Sequence, residues 1–187
     1  MVEMVKVSKA AQIRAVADLA REIWNEHFVP IIGQDQVDYM LERFQSAPAI
    51  HEQIAAGYEY YLVRDRGRYA GYFALVPARK KRTAQLSKIY VRHARRGRGL
   101  GKAIIAFADA YCAERGIRSL WLTVNRHNAG SIAFYERMGF SKAERLVRKI
   151  GRGFVMDDYR MVKRPLDAQS SQRGGARGLR ARRPSSP

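Results

Sequence analysis

Apolar residues recur every three or four positions through the first third of the chain, which is the spacing of one helix face. This pattern predicts a long helix over residues 9–27 and a second helix over residues 34–45, separated by a break at Pro30. A third, shorter helical stretch covers residues 48–57. A short strand over residues 3–7 precedes all three helices.

After this region the apolar residues gather in short runs that are rich in Tyr, Leu and Val and are typical of strands. Three such runs cover residues 58–65, 69–77 and 83–91. Turns with glycine or basic residues separate them. They therefore predict an antiparallel meander.

The last third of the chain alternates between helices and strands. The predicted elements are a helix that starts at Leu100, a strand over 119–124, a helix over 129–138, and a hairpin over 140–150 and 154–162. The whole order is β-α-α-β-β-β-α-β-α-β-β.

A basic, glycine-rich segment joins the last strand of the meander to the next helix. It reads Arg96-Gly97-Arg98-Gly99-Leu100-Gly101, and Lys102 follows. Glycines at such a junction let backbone N–H groups approach an anion, and the helix start adds the positive end of its dipole. The segment therefore predicts a pyrophosphate site. A dinucleotide fingerprint would need glycine at Lys102, and a P-loop would need Ser or Thr at Ala103, so neither fits.

A second block, residues 128–140, reads NAGSIAFYERMGF. Together the two blocks closely resemble the GNAT superfamily of acyl-CoA-dependent N-acetyltransferases. That family carries [Q/R]-x-x-G-x-[G/A] after its fourth strand and N-x-x-A-x-x-x-Y-x-x-x-G-F around the following helix. Ser131 stands where the family usually has alanine. The resemblance covers roughly residues 3–166.

The resemblance implies an α/β (α+β) protein with the GNAT fold. This fold has a central mixed, mostly antiparallel twisted sheet of six to seven strands, flanked by about four helices and splayed between strands 4 and 5. We expect one GNAT domain over residues 1–166. Residues 167–187 are predicted to form a basic, disordered tail, because Ser, Gly, Arg and Pro dominate them.

The resemblance also implies acetyl-CoA as cosubstrate. In the family, backbone amides of the glycine loop bind the pyrophosphate, a role that falls here to residues 96–101 with Lys102 nearby. The pantetheine arm lies in the splay and pairs with the main chain of the fourth strand, here Ile89 and Val91. Asn128 corresponds to an asparagine near the pantetheine or acetyl end. Simple capping of the following helix is the alternative reading of Asn128.

Tyr135 corresponds to the family tyrosine that lies beside the thioester sulfur and acts as general acid. A phenol with an ordinary pKa of about 10 suits proton donation to a thiolate. The alternative is a core aromatic residue on a helix. The sequence shows no general base.

The acceptor amine of GNAT proteins binds among the first two helices, their connecting loop and the last hairpin. Here that assignment selects His27 and Phe28 at the start of an apolar loop, and Asp157 and Asp158 as candidate contacts of a cation. The loop could instead pack beneath the helices. The two carboxylates could instead form salt bridges with surface arginines.

The composition adds several limits. The chain has 187 residues, 47% of them hydrophobic, which fits one globular domain, and no apolar stretch is as long as a membrane span. The single cysteine, Cys112, excludes an internal disulfide and fits a reducing compartment, so a cytoplasmic protein is expected. The four histidines are too scattered to suggest a metal site.

The net charge is +18, and residues 1–167 carry +13 of it. Such a field attracts polyanions. The tail contains five arginines among glycines, so the competing prediction is a nucleic-acid or ribosome-associated binding protein on the same fold. Deleting residues 168–187 would then remove salt-sensitive RNA affinity and retain acetyl transfer. Homodimer formation stays open.

Overall fold

A computed structural model describes residues 1–164 of the chain, and the predicted basic tail lies outside them. Its centre is one seven-stranded sheet with the order β1-β2-β3-β4-β5-β7-β6. The strands are β1 (Val2–Lys6), β2 (Glu59–Asp65), β3 (Arg68–Ala78), β4 (Thr83–Val91), β5 (Ser119–Asn125), β6 (Ser141–Gly151) and β7 (Phe154–Lys163). Every neighbouring pair is antiparallel except β4–β5.

The described residues contain six helices rather than about four. They are α1 (Ala10–His27), α2 (Val29–Ile32), α3 (Gln34–Phe44), α4 (Ala47–Ala55), α5 (Leu100–Glu114) and α6 (Ala129–Arg137). The break predicted at Pro30 is a single helical turn, α2. Proline is tolerated there because the first turn of a helix leaves its N–H groups unpaired in any case.

Two hydrophobic clusters cover the two faces of the sheet. On one face α5 and α6 pack over β4 and β5, and Leu86, Ile104 and Leu122 are buried there. On the other face α1, α3 and α4 pack over β2 and β3, and Ile23 and Val37 are buried there. The sheet is therefore the middle layer of three, and residues on either face of β4 meet different helices.

A β-bulge interrupts β4 at Ser87. Residue Ala74 of β3 pairs with Lys88, whereas its neighbour Leu75 pairs with Leu86, so Ser87 is an extra residue without a partner in this register. The bulge changes the side-chain alternation. In a regular strand Leu86 and Tyr90 would lie on the same face of the sheet. Here Leu86 packs in the cluster beside α5, whereas Tyr90 packs in the cluster beside α1.

The sheet opens between β4 and β5. Their parallel pairing covers only Thr83–Gln85 against Ser119–Trp121. Beyond that point β5 continues to pair with β7 as far as Asn125 and Asp158, while the second half of β4 pairs only with β3 within the described residues. This confirms the predicted splay between strands 4 and 5.

Gly71 of β3 permits a close approach to the second half of β4. A Cβ atom at this position would overlap the carbonyl oxygen of Tyr90 and lie 3.0 Å from the Cα atom of Val91. Because both obstacles are backbone atoms of a paired strand, we expect Gly71→Ala to lower the free energy of unfolding by about 1–3 kcal/mol. Urea unfolding measures the difference.

Gly130→Ala is the matched control for this prediction. Gly130 lies in α6, and a Cβ atom there meets nothing within 4 Å. Alanine is the better helix former by about 1 kcal/mol, so this variant should be at least as stable as the parent. Equal stability of the two variants would show that β3 and β4 are not closely packed at Gly71.

Candidate active site

A cavity of about 1110 Å³ follows the opening between β4 and β5. The glycine loop, α6 and His27 at the end of α1 line one end of it, and α3, β6 and β7 line the other. Most of the residues predicted from the sequence line this cavity: His27, Phe28, Ile89, Val91, Arg96, Gly97, Gly99, Leu100, Gly101, Lys102, Asn128, Tyr135 and Asp158. Arg98 and Asp157 do not line it.

The glycine loop turns sharply into α5. Gly97 and Gly99 have φ angles of +74° and +78°, in the left-handed region that glycine adopts without strain. α5 begins at Leu100, and the N–H groups of its first turn have no carbonyl partner further back in the helix. The start of α5 lines the cavity, and the positive end of a helix dipole with its unpaired N–H groups favours an anion.

Helix packing is a second structural reason for a glycine at position 101. A Cβ atom there would lie 2.9 Å from the ring of Phe134 in α6. The absence of a side chain at Gly101 therefore lets α5 and α6 approach closely beside the loop. Phe134 also lines the cavity, which the sequence motif alone did not indicate.

His27 joins three elements at the loop end of the cavity. Its Nδ1 atom lies 3.2 Å from Nη1 of Arg96, and its Nε2 atom lies 3.2 Å from Nδ2 of Asn128. Burial lowers the pKa of His27, and the Arg96 charge lowers it further, so the ring is neutral near pH 7. His27 thus contacts the predicted cofactor residues rather than standing apart on the acceptor side.

Asn128 caps α6, as one of its two interpretations predicted, and it also lines the cavity. Its side-chain oxygen accepts a hydrogen bond from the Ser131 amide at 3.3 Å and caps α6. Its amide nitrogen faces His27, and the residue lines the cavity.

Tyr135 lies on α6, buried among core residues, and lines the cavity. Burial raises the pKa of its hydroxyl well above the ordinary value. Tyr90 of β4 is its neighbour: burial raises the pKa of Tyr90, and the nearby Tyr135 and Asp158 raise it further. Tyr135 is therefore protonated at neutral pH and close to the second half of β4.

The two adjacent carboxylates of β7 have different surroundings. Asp157 accepts two hydrogen bonds from Arg145, at 2.7 and 2.6 Å, and pairs with Arg126 at 2.8 Å. These contacts are the salt bridges that the sequence offered as the alternative, and the Arg145 hydrogen bond is the main cause of the lowered pKa of Asp157. Asp158 is 7% exposed and lines the cavity, and burial raises its pKa to about 6.

Three aromatic rings that pack on one another line the cavity. The ring of Trp24 lies 4.5 Å from that of Phe28 and 5.5 Å from that of Tyr90, centre to centre. We call Trp24, Phe28 and Tyr90 the aromatic wall. Phe28 was expected on the acceptor side, but Trp24 and Tyr90 were not, because aromatic residues at helix and strand spacing are equally typical of a core.

Lys88 is a site residue that the sequence did not reveal. It is 8% exposed, lines the cavity and has a pKa lowered to about 8 by burial. Simple alternation along β4 would place Lys88 on the same face as Leu86, against α5. Because the bulge at Ser87 interrupts the alternation, Lys88 lies on the other face of the sheet. Its Nζ atom lies 3.5 Å from the carbonyl oxygen of Phe44 in α3.

Comparison with known proteins agrees with this geometry. The sequence model of the acetyltransferase (GNAT) family matches residues 17–140. The chain belongs to this family.

Individual relatives match parts of the chain or its fold. An uncharacterized N-acetyltransferase of Methanocaldococcus jannaschii is 39% identical over 46% of this chain. A streptothricin acetyltransferase of Streptomyces lavendulae is 35% identical over 40% of it. The matched segments span only 34% and 40% of the lengths of those relatives.

A solved structure extends the likeness to the whole fold. It is the PaiA N-acetyltransferase from Thermoplasma acidophilum, crystallised in complex with coenzyme A. It superposes with a TM-score of 0.71 at 19% identity, covering 88% of this chain and 99% of that one. In residues 1–164 of the present protein, no helix combines the length and apolar character needed to cross a membrane.

Proposed function

We propose that this protein is an N-acetyltransferase that transfers an acetyl group from acetyl-CoA to a primary amine, with residues 1–166 as the catalytic domain. The observation that carries this proposal is the junction of an anion site at the start of α5 with a deep cavity in the open sheet. A cofactor with a pyrophosphate at one end and a long polar arm needs both features.

The pyrophosphate would bind the amides of residues 97–101, with Arg96 and Lys102 supplying positive charge. The pantetheine arm would lie along β4 between residues 86 and 91, where the strand has lost its β5 neighbour. There its amide groups can pair with the main chain of Ile89 and Val91, as an added strand would. Asn128 and His27 close the cavity near the loop.

The reaction would proceed by direct attack in a ternary complex. The neutral amine forms a bond to the thioester carbonyl carbon, the C–S bond breaks, and the sulfur takes a proton from the Tyr135 hydroxyl. Tyr135 recovers a proton from the attacking nitrogen through solvent, so that the products are an amide and the coenzyme A thiol. Its raised pKa keeps Tyr135 in the protonated form that this role needs.

Asp158 would receive the acceptor as an ammonium ion and take up the proton that must leave before attack. An alkylamine has a pKa of about 10.4, so it enters charged at neutral pH. Asp158 is a buried carboxylate of the cavity, close to Tyr90, and can supply both the negative charge and the proton acceptor. Asp157 is engaged by Arg145 and Arg126, so we do not assign it a contact with substrate.

Calorimetric titration with acetyl-CoA and with free coenzyme A tests the cofactor assignment. We expect saturable, low-micromolar binding of both. Lys102→Met should weaken it about tenfold, which corresponds to one charge-assisted hydrogen bond of about 1.5 kcal/mol. The measurement requires only the purified protein and no knowledge of the acceptor.

Arg98→Met is the matched control for Lys102→Met. Arg98 belongs to the same loop, but its side chain is exposed and lies outside the cavity lining, so only its backbone amide should matter. Its replacement should leave coenzyme A affinity within about twofold, because its side chain, unlike that of Lys102, does not line the cavity. Absence of binding at near-millimolar acetyl-CoA would refute the proposed function.

A further inference from the structure

The charges around the acceptor end of the cavity are mostly positive. Arg43 of α3, Lys88 of β4, and Arg148 and Lys149 of β6 line this end, and Asp158 is the one carboxylate in the described lining of the whole cavity. A substrate with two or more cationic groups would meet four cations for one anion. The positive charge of the chain therefore extends into the acceptor end rather than being offset there.

Lys88 is the least expected of these cations. A buried ammonium group is normally paired with a carboxylate, because its transfer from water is costly. In the described part of the chain, Lys88 Nζ makes one polar contact, with the Phe44 carbonyl oxygen at 3.5 Å, and forms no ion pair. A long, weak contact to a single carbonyl leaves most of the donor capacity of the ammonium group unused.

Lys88 and Asp158 line the same cavity from different strands, β4 and β7. The aromatic wall lines this cavity with them. A buried cation, a buried anion and an apolar surface therefore face one shared space.

We infer that the acceptor is a small amine that also carries a carboxylate, with its ammonium group at Asp158, its carboxylate at Lys88 and its methylene groups against the aromatic wall. This inference rests on the proposed function and names its substrate class. A carboxylate would give the buried Lys88 ammonium an ion-pair partner, and Arg43, Arg148 and Lys149 of the same cavity lining favour the same ligand charge.

Matched amines test the charge preference directly. The panel pairs each ω-amino carboxylate of three to six carbons with the n-alkylamine and the α,ω-diamine of the same length. Binding to coenzyme A-saturated protein and acetyl transfer are both measured. At least one amino carboxylate should exceed its two partners tenfold or more in affinity or in kcat/KM. Equal or lower values for every amino carboxylate, or no binding by any of them, would overturn the inference.

Lys88→Met then tests the residue. Methionine keeps the length and apolar stem of lysine and removes a buried charge, so the variant should fold at least as well as the parent. We expect it to lose the tenfold preference and still to bind acetyl-CoA, because the proposed cofactor contacts of β4 are made by main-chain atoms of Ile89 and Val91. Lys88→Arg should retain part of the preference. Lys80→Met, in the exposed 3₁₀ turn before β4, is the control and should keep the full preference. An unchanged preference in Lys88→Met would refute the role of Lys88.

The two proposals fail in different ways. Failure to bind acetyl-CoA would contradict the proposed function itself. Normal acetyl-CoA binding, together with equal use of amino carboxylates and plain alkylamines, would contradict only the substrate class.

Discussion

Replacing Tyr135 with phenylalanine is expected to lower kcat about a hundredfold and to leave the Kd of acetyl-CoA unchanged. Tyr135→Phe keeps the ring that packs 5.4 Å from Phe134 and 5.8 Å from Phe140, so the core beside α6 stays filled. It removes only the hydroxyl, which we propose as the proton donor to the leaving thiolate. General acid catalysis by a positioned side chain contributes about 10²–10⁴-fold.

Separate measurement of binding and turnover tests this assignment. Calorimetry gives the affinity for acetyl-CoA, and thiol release under saturating acetyl-CoA gives kcat. A fall in kcat with constant affinity is the signature of an interaction made mainly in the transition state. A fall in affinity of the same size would instead mean that the hydroxyl holds the cofactor in the ground state.

Tyr159→Phe is the matched control. Tyr159 lies on β7, packs against the same core and is not part of the cavity lining. Its replacement also removes a hydroxyl and keeps the ring. Because this hydroxyl lies outside the cavity lining, kcat should stay within about twofold of the parent value. Unchanged turnover in Tyr135→Phe would remove Tyr135 as the general acid. An equal loss in both variants would point to general weakening of the core.

Local sequence patterns predicted most of the fold because they depend on local physics. The switch from helical spacing to short apolar runs near residue 57 marks the change from α4 to β2, and every predicted strand is present. The glycine loop could also be predicted, since Gly97 and Gly99 occupy backbone conformations that other residues adopt only with strain. The extra turn α2 was missed because Pro30 is compatible with both a break and a first helical turn.

The site residues that were missed depend on register and on contacts distant in sequence. Lys88 faces α3 only because Ser87 is an extra residue in β4, and an alternating pattern gives no sign of a bulge. Asp157 and Asp158 are equivalent in a sequence. Their difference comes from strand alternation and from Arg145, twelve residues earlier on β6, which engages only Asp157.

Replacing Asp158 with asparagine is expected to lower kcat/KM for the amine at least tenfold at pH 7.5 and to change its pH dependence. Burial raises the pKa of Asp158 to about 6, so its ionised fraction increases between pH 5 and pH 7 and is about nine-tenths at pH 7. If the ionised form receives the ammonium group, kcat/KM of the parent protein should rise with pH through an apparent pKa near 6. We call this rise of kcat/KM with pH the acidic limb. Asparagine cannot ionise, so the acidic limb should disappear in the variant.

Other groups near the cavity could also titrate in this range, and the variants separate them. Burial is the main cause of the lowered pKa of His27, and a limb caused by His27 would persist in Asp158→Asn. His27→Gln would remove such a limb and leave the one near 6. The charge of Arg148 lowers the pKa of Asp158 and so moves the Asp158 limb to lower pH.

Asp157→Asn is the control closest to the site. It changes the neighbouring residue in the same way, but its carboxylate binds Arg145 and Arg126 outside the cavity lining. We therefore expect it to keep the acidic limb and most of the activity. The limb should move slightly to lower pH, because the Asp157 charge contributes to raising the pKa of Asp158. If the limb survives unchanged in Asp158→Asn and is lost in Asp157→Asn, Asp157 contacts the amine, and Asp158 must have another role.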